Sequence, residues 1–313
     1  MRLKVIHGWR EIDPDFRGAA VALGEFDGVH KGHLGVIVGA ARAARALGVP
    51  LAVISFEPHP RRYFQPDAPP FRLMTLDQQA RALDDLGVDI FYVLPFDDEM
   101  AGMSDEAFAR DVLVTGLGAR HVAAGFDITF GKDRTGNPDA LRAYGERYGF
   151  SVSITEKIGD DDAEKYSSSA VRAALEAGRP DRAAEILGRP FAIEGVVVEG
   201  QHLGRTIGYP TANVGAGDYV RPKLGVYATR TRLTDGREVA GVANFGENPT
   251  TGLVEARLEV YLFDFDEDLY GHTIETDLVW FLRPEWTFAG LDEMIAQIAA
   301  DVDEARAKLA PPF

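Results

Sequence analysis

The sequence predicts two domains of different class: an α/β domain on a parallel sheet over residues 1–186, then a small antiparallel β-barrel with a C-terminal helix over residues 187–313. Three observations lead there. The first half alternates short apolar runs with amphipathic stretches at helical spacing, the signature of βαβ units and hence of a parallel sheet. Beyond Phe191 the chain turns to closely spaced strand-like runs joined by tight turns such as Asp235-Gly236, the pattern of a small barrel. Between these halves, SSSAVRAALEAGRPDRAAEILG reads as two short helices split at Gly178-Arg179-Pro180, because Gly stops one helix and Pro suits the first turn of the next.

In order along the chain, AAVAL, ending at Leu23, is a short buried strand. From Lys31 to Leu47 the apolar residues Leu34, Val36, Ile37, Ala40, Ala44 and Leu47 follow helical spacing, and Gly48 closes the helix. PLAVISF, DIFYVLPF, RHVAAGF and FSVSITEK are further strands, with SDEAFARDVLVTGL and DALRAYGERYG as helices between them. QPDAPPFRLM is a loop and a candidate lid. In the second half AIEGVVVEG, GVYATRTRL, REVAGVANF and ARLEVYLFDF are barrel strands. A last helix carries Leu291, Met294, Ile295, Ile298, Val302 and Leu309 on one face.

Composition narrows the function. The chain has 313 residues, 46% of them hydrophobic, which is enough apolar material for two cores. No apolar run approaches the roughly 20 residues of a membrane span, and MRLKVIHGWREID lacks the apolar region of a signal peptide. Cys is absent, which removes disulfides and thiolate metal sites and agrees with a cytoplasmic location. A net charge of −16 argues against broad nucleic-acid or membrane-surface binding, since both need a positive field. An anionic small substrate has to be met by local cations and backbone N–H groups.

The stretch LGEFDGVHKGH stands where the first buried strand hands over to the first long helix. A helix N-terminus offers unpaired N–H groups and positive potential, which favours a phosphate. Gly24, Gly28 and Gly32 allow close backbone approach, and His30 and His33 can donate hydrogen bonds to phosphoryl oxygens. A glycine-rich turn with two solvent-facing His is the plain alternative, and zinc a third one that lacks a third ligand. Three more stretches fall at strand or helix ends: ISFEPHP, GFDITFGKDRTGN with Lys132 and Arg134, and KYSSSAVR with Lys165, Ser167, Ser168 and Arg172. Each alone is explained by a stiff turn, a solvated loop or a Ser N-cap; four on one sheet point to a ligand at its carboxyl edge. In the second half, GQHLGRTIGYPTANV reads most simply as a barrel loop whose Pro-Thr-Ala-Asn is a capped turn; the other reading wraps phosphates with its glycines and Arg205 and offers Thr211 and Asn213 as oxygen ligands for Mg²⁺. Glu259 alternates with Leu258 and Val260 and therefore faces away from them. It is a solvent-facing carboxylate or a general base aimed into a cleft.

The first four stretches resemble the FMN adenylyltransferase module of bacterial FAD synthetases, within the HxGH nucleotidyltransferase superfamily. The resemblance implies an ATP site made by Gly24, Phe26, Asp27, Gly28, His30, His33, Lys165, Ser167, Ser168 and Arg172. It also implies a flavin side at Phe56, Pro58, His59, Asp127 and Phe130. Glu25 departs from the pattern, since family members often carry a small polar residue there. GYPTANV, GVANFGENPT and ARLEVYLFDF resemble the riboflavin kinase module, a six-stranded barrel. That implies an ATP site at Gly204, Arg205, Gly208, Pro210, Thr211 and Asn213, Mg²⁺ held by Thr211 and Asn213, and Glu259 as the base. The two modules occur in the order of the bifunctional riboflavin kinase/FAD synthetase family. The implied chemistry is ATP-dependent phosphorylation of riboflavin to FMN, then adenylylation of FMN to FAD with release of pyrophosphate. Partners are then small molecules (riboflavin, FMN, ATP) rather than nucleic acid or membrane, and self-association is left open. A kinase with a lapsed adenylyltransferase half would show a broken His or Ser motif, and a flavin-responsive regulator would tolerate loss of Glu259 or Thr211; all are intact.

Overall fold

The computed structural model describes residues 2–156, 166–200, 204, 207–248 and 255–310. The chain divides into two compact units, one up to Ala68 together with Leu76–Ser167, the other Pro69–Thr75 together with the chain from Ser168 onward.

The first unit holds six parallel strands: β1 (Lys4–His7), β2 (Ala20–Leu23), β3 (Leu51–Glu57), β4 (Ile90–Pro95), β5 (His121–Gly125) and β6 (Ser151–Thr155). Their order in the sheet is β1-β4-β3-β2-β5-β6. β2 is buried along its whole length, as expected of a parallel strand covered on both faces, which is why it reads as an unbroken apolar run. From β2 the chain first works outward through β3 and β4, then returns to place β5 and β6 on the other side. That reversal makes the carboxyl end of β2 the crevice where open α/β sheets bind ligands.

The helices of this unit are α1 (Lys31–Leu47), α2 (Pro60–Phe64), α3 (Leu76–Asp85), α4 (Asp98–Gly102), α5 (Asp105–Ala107) and α6 (Pro138–Tyr148). Helix α1 has the predicted bounds; Gly48 ends it in the left-handed region at φ 64°. The stretch SDEAFARDVLVTGL differs from the expected α-helix, because after α5 it winds as a π-helix over Phe108–Gly116. The wider turn brings Phe108, Val112 and Leu113, spaced four and five apart, into the core. On the strands, His121 of β5 sets its two ring nitrogens 2.8 and 2.9 Å from the Ser151 and Ser153 hydroxyls of β6. Burial pushes its pKa down, so the ring is neutral, and one hydroxyl accepts while the other donates.

The second unit opens with α7 (Ser168–Glu176) and α8 (Pro180–Leu187), separated by Gly178 at φ 74°. Six strands follow, β7 (Phe191–Val198), β8 (Ala212–Gly215), β9 (Gly225–Arg232), β10 (Glu238–Asn248), β11 (Glu255–Leu262) and β12 (Thr273–Arg283), and then α9 (Leu291–Leu309). The strands close into an antiparallel barrel in the order β10-β11-β8-β7-β12-β9. Tyr227, Phe245, Leu258, Val260 and Leu278 are buried within it.

Helix α9 lays Ala305 and Leu309 against Val226, Ala228, Val242 and Phe263 on the outside of the barrel. The expected apolar face is thus only partly a packing face. Leu291 is exposed, whereas Met294 and Ile298 line a cleft, because only the C-terminal half of the helix rests on the strands. The candidate lid also differs: Phe71, Leu73 and Met74 are buried, and the N–H groups of Phe71 and Arg72 donate to the Asp218 carbonyl at 3.0 and 2.9 Å. The second half of that loop is a strap of the barrel unit.

Asp277 lies on the outer face of β12, half-buried, and burial is the main reason that its pKa is raised to about 7; Glu275 and Glu238 add to the rise, and Arg232 and Arg189 oppose it. A carboxyl whose folded pKa exceeds its unfolded one contributes fully below the unfolded value and loses that contribution as the pH rises from there through the folded value. Asp277→Asn is therefore expected to stabilise the barrel unit by about 1–2 kcal/mol at pH 8 and to change little near pH 3.5, below both values. Thermal unfolding at the two pH values checks this; an equal gain at both would show that titration is not its source.

Candidate active sites

In the sheet unit, β2 ends at Leu23 and Gly24–His30 form the turn into α1. Phe26, Asp27, Val29 and His30 are all buried there. Gly28 has φ 90°, and Val29 has φ 39°, a strained value for a β-branched residue of the kind that clusters where loops bind ligands. His30 is the N-cap of α1: its Nδ1 accepts the His33 N–H at 3.3 Å. The two imidazoles stack with centroids 3.5 Å apart, and the His33 ring meets Phe26 edge-on at 5.1 Å. Among the described residues no three His, Asp or Glu side chains gather as a metal-ligand set, so the His pair is not part of a zinc site built from them.

The neighbouring strand ends carry the other predicted residues. β3 ends at Glu57, followed by Pro58 across a cis bond and by His59, which caps α2. Phe56 packs edge-on against Phe96 (5.7 Å), and Phe130, beyond β5, lies 5.8 Å from Phe108. Asp127 is exposed at the end of β5. Ser167 closes the sheet unit, while Ser168, the first residue of α7, and Arg172 belong to the barrel unit. Arg172 Nε donates to the Phe71 carbonyl at 2.7 Å, with its guanidinium 5.6 Å from the Phe71 ring. Lys165 and Arg205 lie outside the described residues.

In the barrel unit a cleft of about 490 Å³ opens on the outer face of β9, β10 and β11 and is walled by α9. Gly204, Tyr209, Thr211, Asn244, Glu259, Glu285, Trp286 and Asp301 are among its lining residues. Register places Asn213 of β8 and Asn244 of β10 directly opposite Glu259 of β11, one on each side. Opposed residues share a face with Cβ atoms about 5 Å apart, so two amides flank one carboxylate. Burial pushes the Glu259 pKa up; Glu285 adds to the rise and Arg257 opposes it. Gly208 turns at φ 86° before Pro210. The far wall is fixed by Arg283, whose Nε and Nη2 donate to the Asp301 carboxylate at 2.9 and 2.7 Å. Gln297 Nε2 donates to the same carboxylate at 2.9 Å.

Comparison with known proteins assigns both units. Residues 12–170 match the FAD synthetase family, and residues 187–309 match the riboflavin kinase family. The chain belongs to the bifunctional riboflavin kinase/FMN adenylyltransferase family. The relative from Pseudomonas fluorescens is 40% identical over 310 residues, 99% of each chain. That from Escherichia coli K12 is 40% identical over 305 residues, 97% of each. A solved structure from Streptococcus pneumoniae described as a macrolide-efflux protein shares the fold, with TM-score 0.86, 31% identity, and coverage of 99% of this chain and 100% of that one. Efflux is said of that protein; among the described residues here no helix is long and apolar enough to cross a membrane.

As a member of this family the chain is a transferase with two activities, and its structure adds residues that sequence reasoning passed over. Tyr63 and Phe64 of α2 pack edge-on against Phe96 at 5.4 and 5.7 Å, extending the aromatic cluster from Phe56. The exposed Phe64 in RRYF was the available signal. In the cleft of the barrel unit, Asn244, Arg283, Glu285, Trp286 and Asp301 were missed. An exposed Trp286 in RPEWTF, directly after a strand, was their one mark.

Packing also constrains Gly32. A Cβ there would lie 2.5 Å from the Tyr166 carbonyl oxygen and 2.9 Å from the His30 ring. Neither a backbone carbonyl nor a stacked ring gives way cheaply. Gly32→Ala is expected to destabilise the adenylyltransferase unit by about 1–3 kcal/mol, the scale of overpacking, and to lower FAD synthesis while FMN formation persists. Thermal unfolding and both rates on the purified variant check this.

Proposed function

We propose that the cleft around Glu259 phosphorylates riboflavin to FMN and that the site at the β2–α1 turn transfers AMP from a second ATP to FMN, giving FAD and pyrophosphate. The functional boundary in this reading falls between residues 186 and 187. The observation that carries it is the half-buried Glu259 carboxylate flanked by Asn213 and Asn244. Burial raises the Glu259 pKa, and a carboxylate with a raised pKa is a better proton acceptor than an ordinary one.

In the kinase step Glu259 takes the proton of the ribityl 5′-hydroxyl as that oxygen attacks the γ-phosphorus and ADP leaves. Thr211 and Asn213 offer a hydroxyl and an amide oxygen beside that carboxylate, a hard donor set that fits Mg²⁺. When bound, Mg²⁺ neutralises phosphate charge and orients in-line attack. Gly204, Gly208 and Pro210 shape the approach of the ATP phosphates.

In the adenylylation step a phosphate oxygen of FMN attacks the α-phosphorus and pyrophosphate leaves. His30 and His33 donate hydrogen bonds to the charge that builds on the α-phosphoryl oxygens. Gly24, Phe26, Asp27 and Gly28 form the turn that receives the nucleotide; Phe56, Pro58, His59, Asp127 and Phe130 are the flavin side. Both sites draw on ATP, and a cytoplasmic setting belongs to this reading. Incubation of the protein with riboflavin, ATP and Mg²⁺ followed by chromatography tests it: FMN then FAD is expected. FMN alone would overturn the adenylyltransferase assignment, and unchanged riboflavin the kinase assignment.

A further inference from the structure

Glu25 stands two residues beyond the end of β2 and points a half-exposed carboxylate at the next loop: its Oε2 lies 2.9 Å from His59 Nε2. His59 is mostly buried. Its other ring nitrogen, Nδ1, accepts the Arg61 N–H at 3.0 Å and so caps α2. A neutral imidazole has one donor and one acceptor nitrogen. With Nδ1 accepting, the proton sits on Nε2 and is donated to Glu25. The Arg61 N–H and the Glu25 carboxylate therefore favour the same tautomer from opposite sides of the ring, and the Glu25 contact also joins two loops.

The consequence runs into α2. A helix of five residues has little stability of its own, so its placement depends on its cap and side-chain ties. The ties are Tyr63 OH donating to Asp98 Oδ1 at 2.5 Å, and Arg62 Nη1 donating to the Pro66 and Ala68 carbonyls at 2.9 and 2.6 Å. What α2 places is Tyr63 and Phe64, both packed on Phe96, which in turn packs on Phe56.

We infer that Glu25 is a positioning residue for the flavin side of adenylylation: it holds His59 in the Nε2–H tautomer, and through the α2 cap it fixes the aromatic wall of Tyr63 and Phe64. This rests on the reading of Phe56 and His59 as flavin-side residues. An ordinary exposed ion pair would instead contribute little to anything measured.

Glu25→Ala and Glu25→Gln test the inference. Alanine removes the acceptor, and glutamine keeps an oxygen in its place. With Glu25→Ala the KM for FMN should rise roughly tenfold, the scale of one lost hydrogen bond to a charged group. The KM for ATP and kcat should stay near the parent values, and riboflavin phosphorylation should be unchanged. Glu25→Gln should recover most of the loss. Nitrogen-15 NMR of the His59 ring should show a protonated Nε2 and a bare Nδ1 in the parent and in Glu25→Gln, and a tautomer mixture in Glu25→Ala. Unchanged tautomer and unchanged FMN KM in Glu25→Ala would overturn the inference, as would a KM change confined to ATP. Addition of FMN to the parent tests the underlying reading separately: if the His59 ring signals do not move, the flavin placement fails whatever Glu25 does.

Discussion

Glu259→Gln is expected to cut riboflavin phosphorylation by roughly 10²–10⁴, the usual contribution of a positioned general base. A primary hydroxyl is a poor nucleophile at neutral pH, and glutamine keeps the shape of glutamate without accepting a proton. Adenylylation of supplied FMN should proceed at the parent rate, because its nucleophile is already a phosphate and, in the proposed reading, its chemistry takes place at the β2–α1 turn rather than in the cleft around Glu259. A second consequence follows from burial. The folded pKa of Glu259 is raised above its unfolded value, so this carboxyl favours folding while protonated and opposes it once ionised. The inactive Gln variant should therefore unfold at a higher temperature than the parent above neutral pH. The acid limb of the kinase pH profile should likewise stand above the ordinary range of a glutamate. Near-normal phosphorylation by the variant would remove Glu259 from the mechanism.

His33→Ala is expected to lower FAD formation by roughly 10²–10³, the cost of one donor that acts on charge developing in the transition state. FMN formation should be untouched. The His33 ring stacks on His30 at 3.5 Å and meets Phe26 edge-on at 5.1 Å, so alanine also takes away a support of the neighbouring imidazole. His33→Gln, which retains an N–H donor, should fall less far. Rates for both activities on each variant separate the cases. A parallel loss of both activities would show that His33 does not belong to one site alone.

The local features of this protein were legible in its residues. The bounds of α1 follow from apolar spacing and the left-handed Gly48, and both depend only on neighbours within a turn. That Glu259 points out of the barrel follows from alternation with Leu258 and Val260, because the period of a strand is two. The order of strands and helices, and with it the fold class, came from the same short-range periods. The motifs at Gly24–His33 and Pro210–Asn213 marked where chemistry would be sought, since glycine, proline and capping residues carry their conformational preferences with them.

What only the tertiary structure decided is a matter of register and long-range packing. Which side chains flank Glu259 depends on how β8, β10 and β11 slide against one another, and a one-residue slip would exchange Asn213 and Asn244 for their neighbours. The contact of Glu25 with His59 arises because β2 and β3 lie side by side in the sheet, with Leu23 at the end of β2 paired to Ile54 of β3. Pro69–Thr75 looks like a free loop in sequence, yet its carbonyls and N–H groups find partners on the barrel unit at Asp218 and Val220. The apolar stripe of α9 reads as one packing face, but the Arg283–Asp301 pair anchors it so that Met294 and Ile298 wall a cleft. Periodicity records what a residue does relative to its own backbone; which partner it meets is set by burial of the whole chain, which no local pattern encodes.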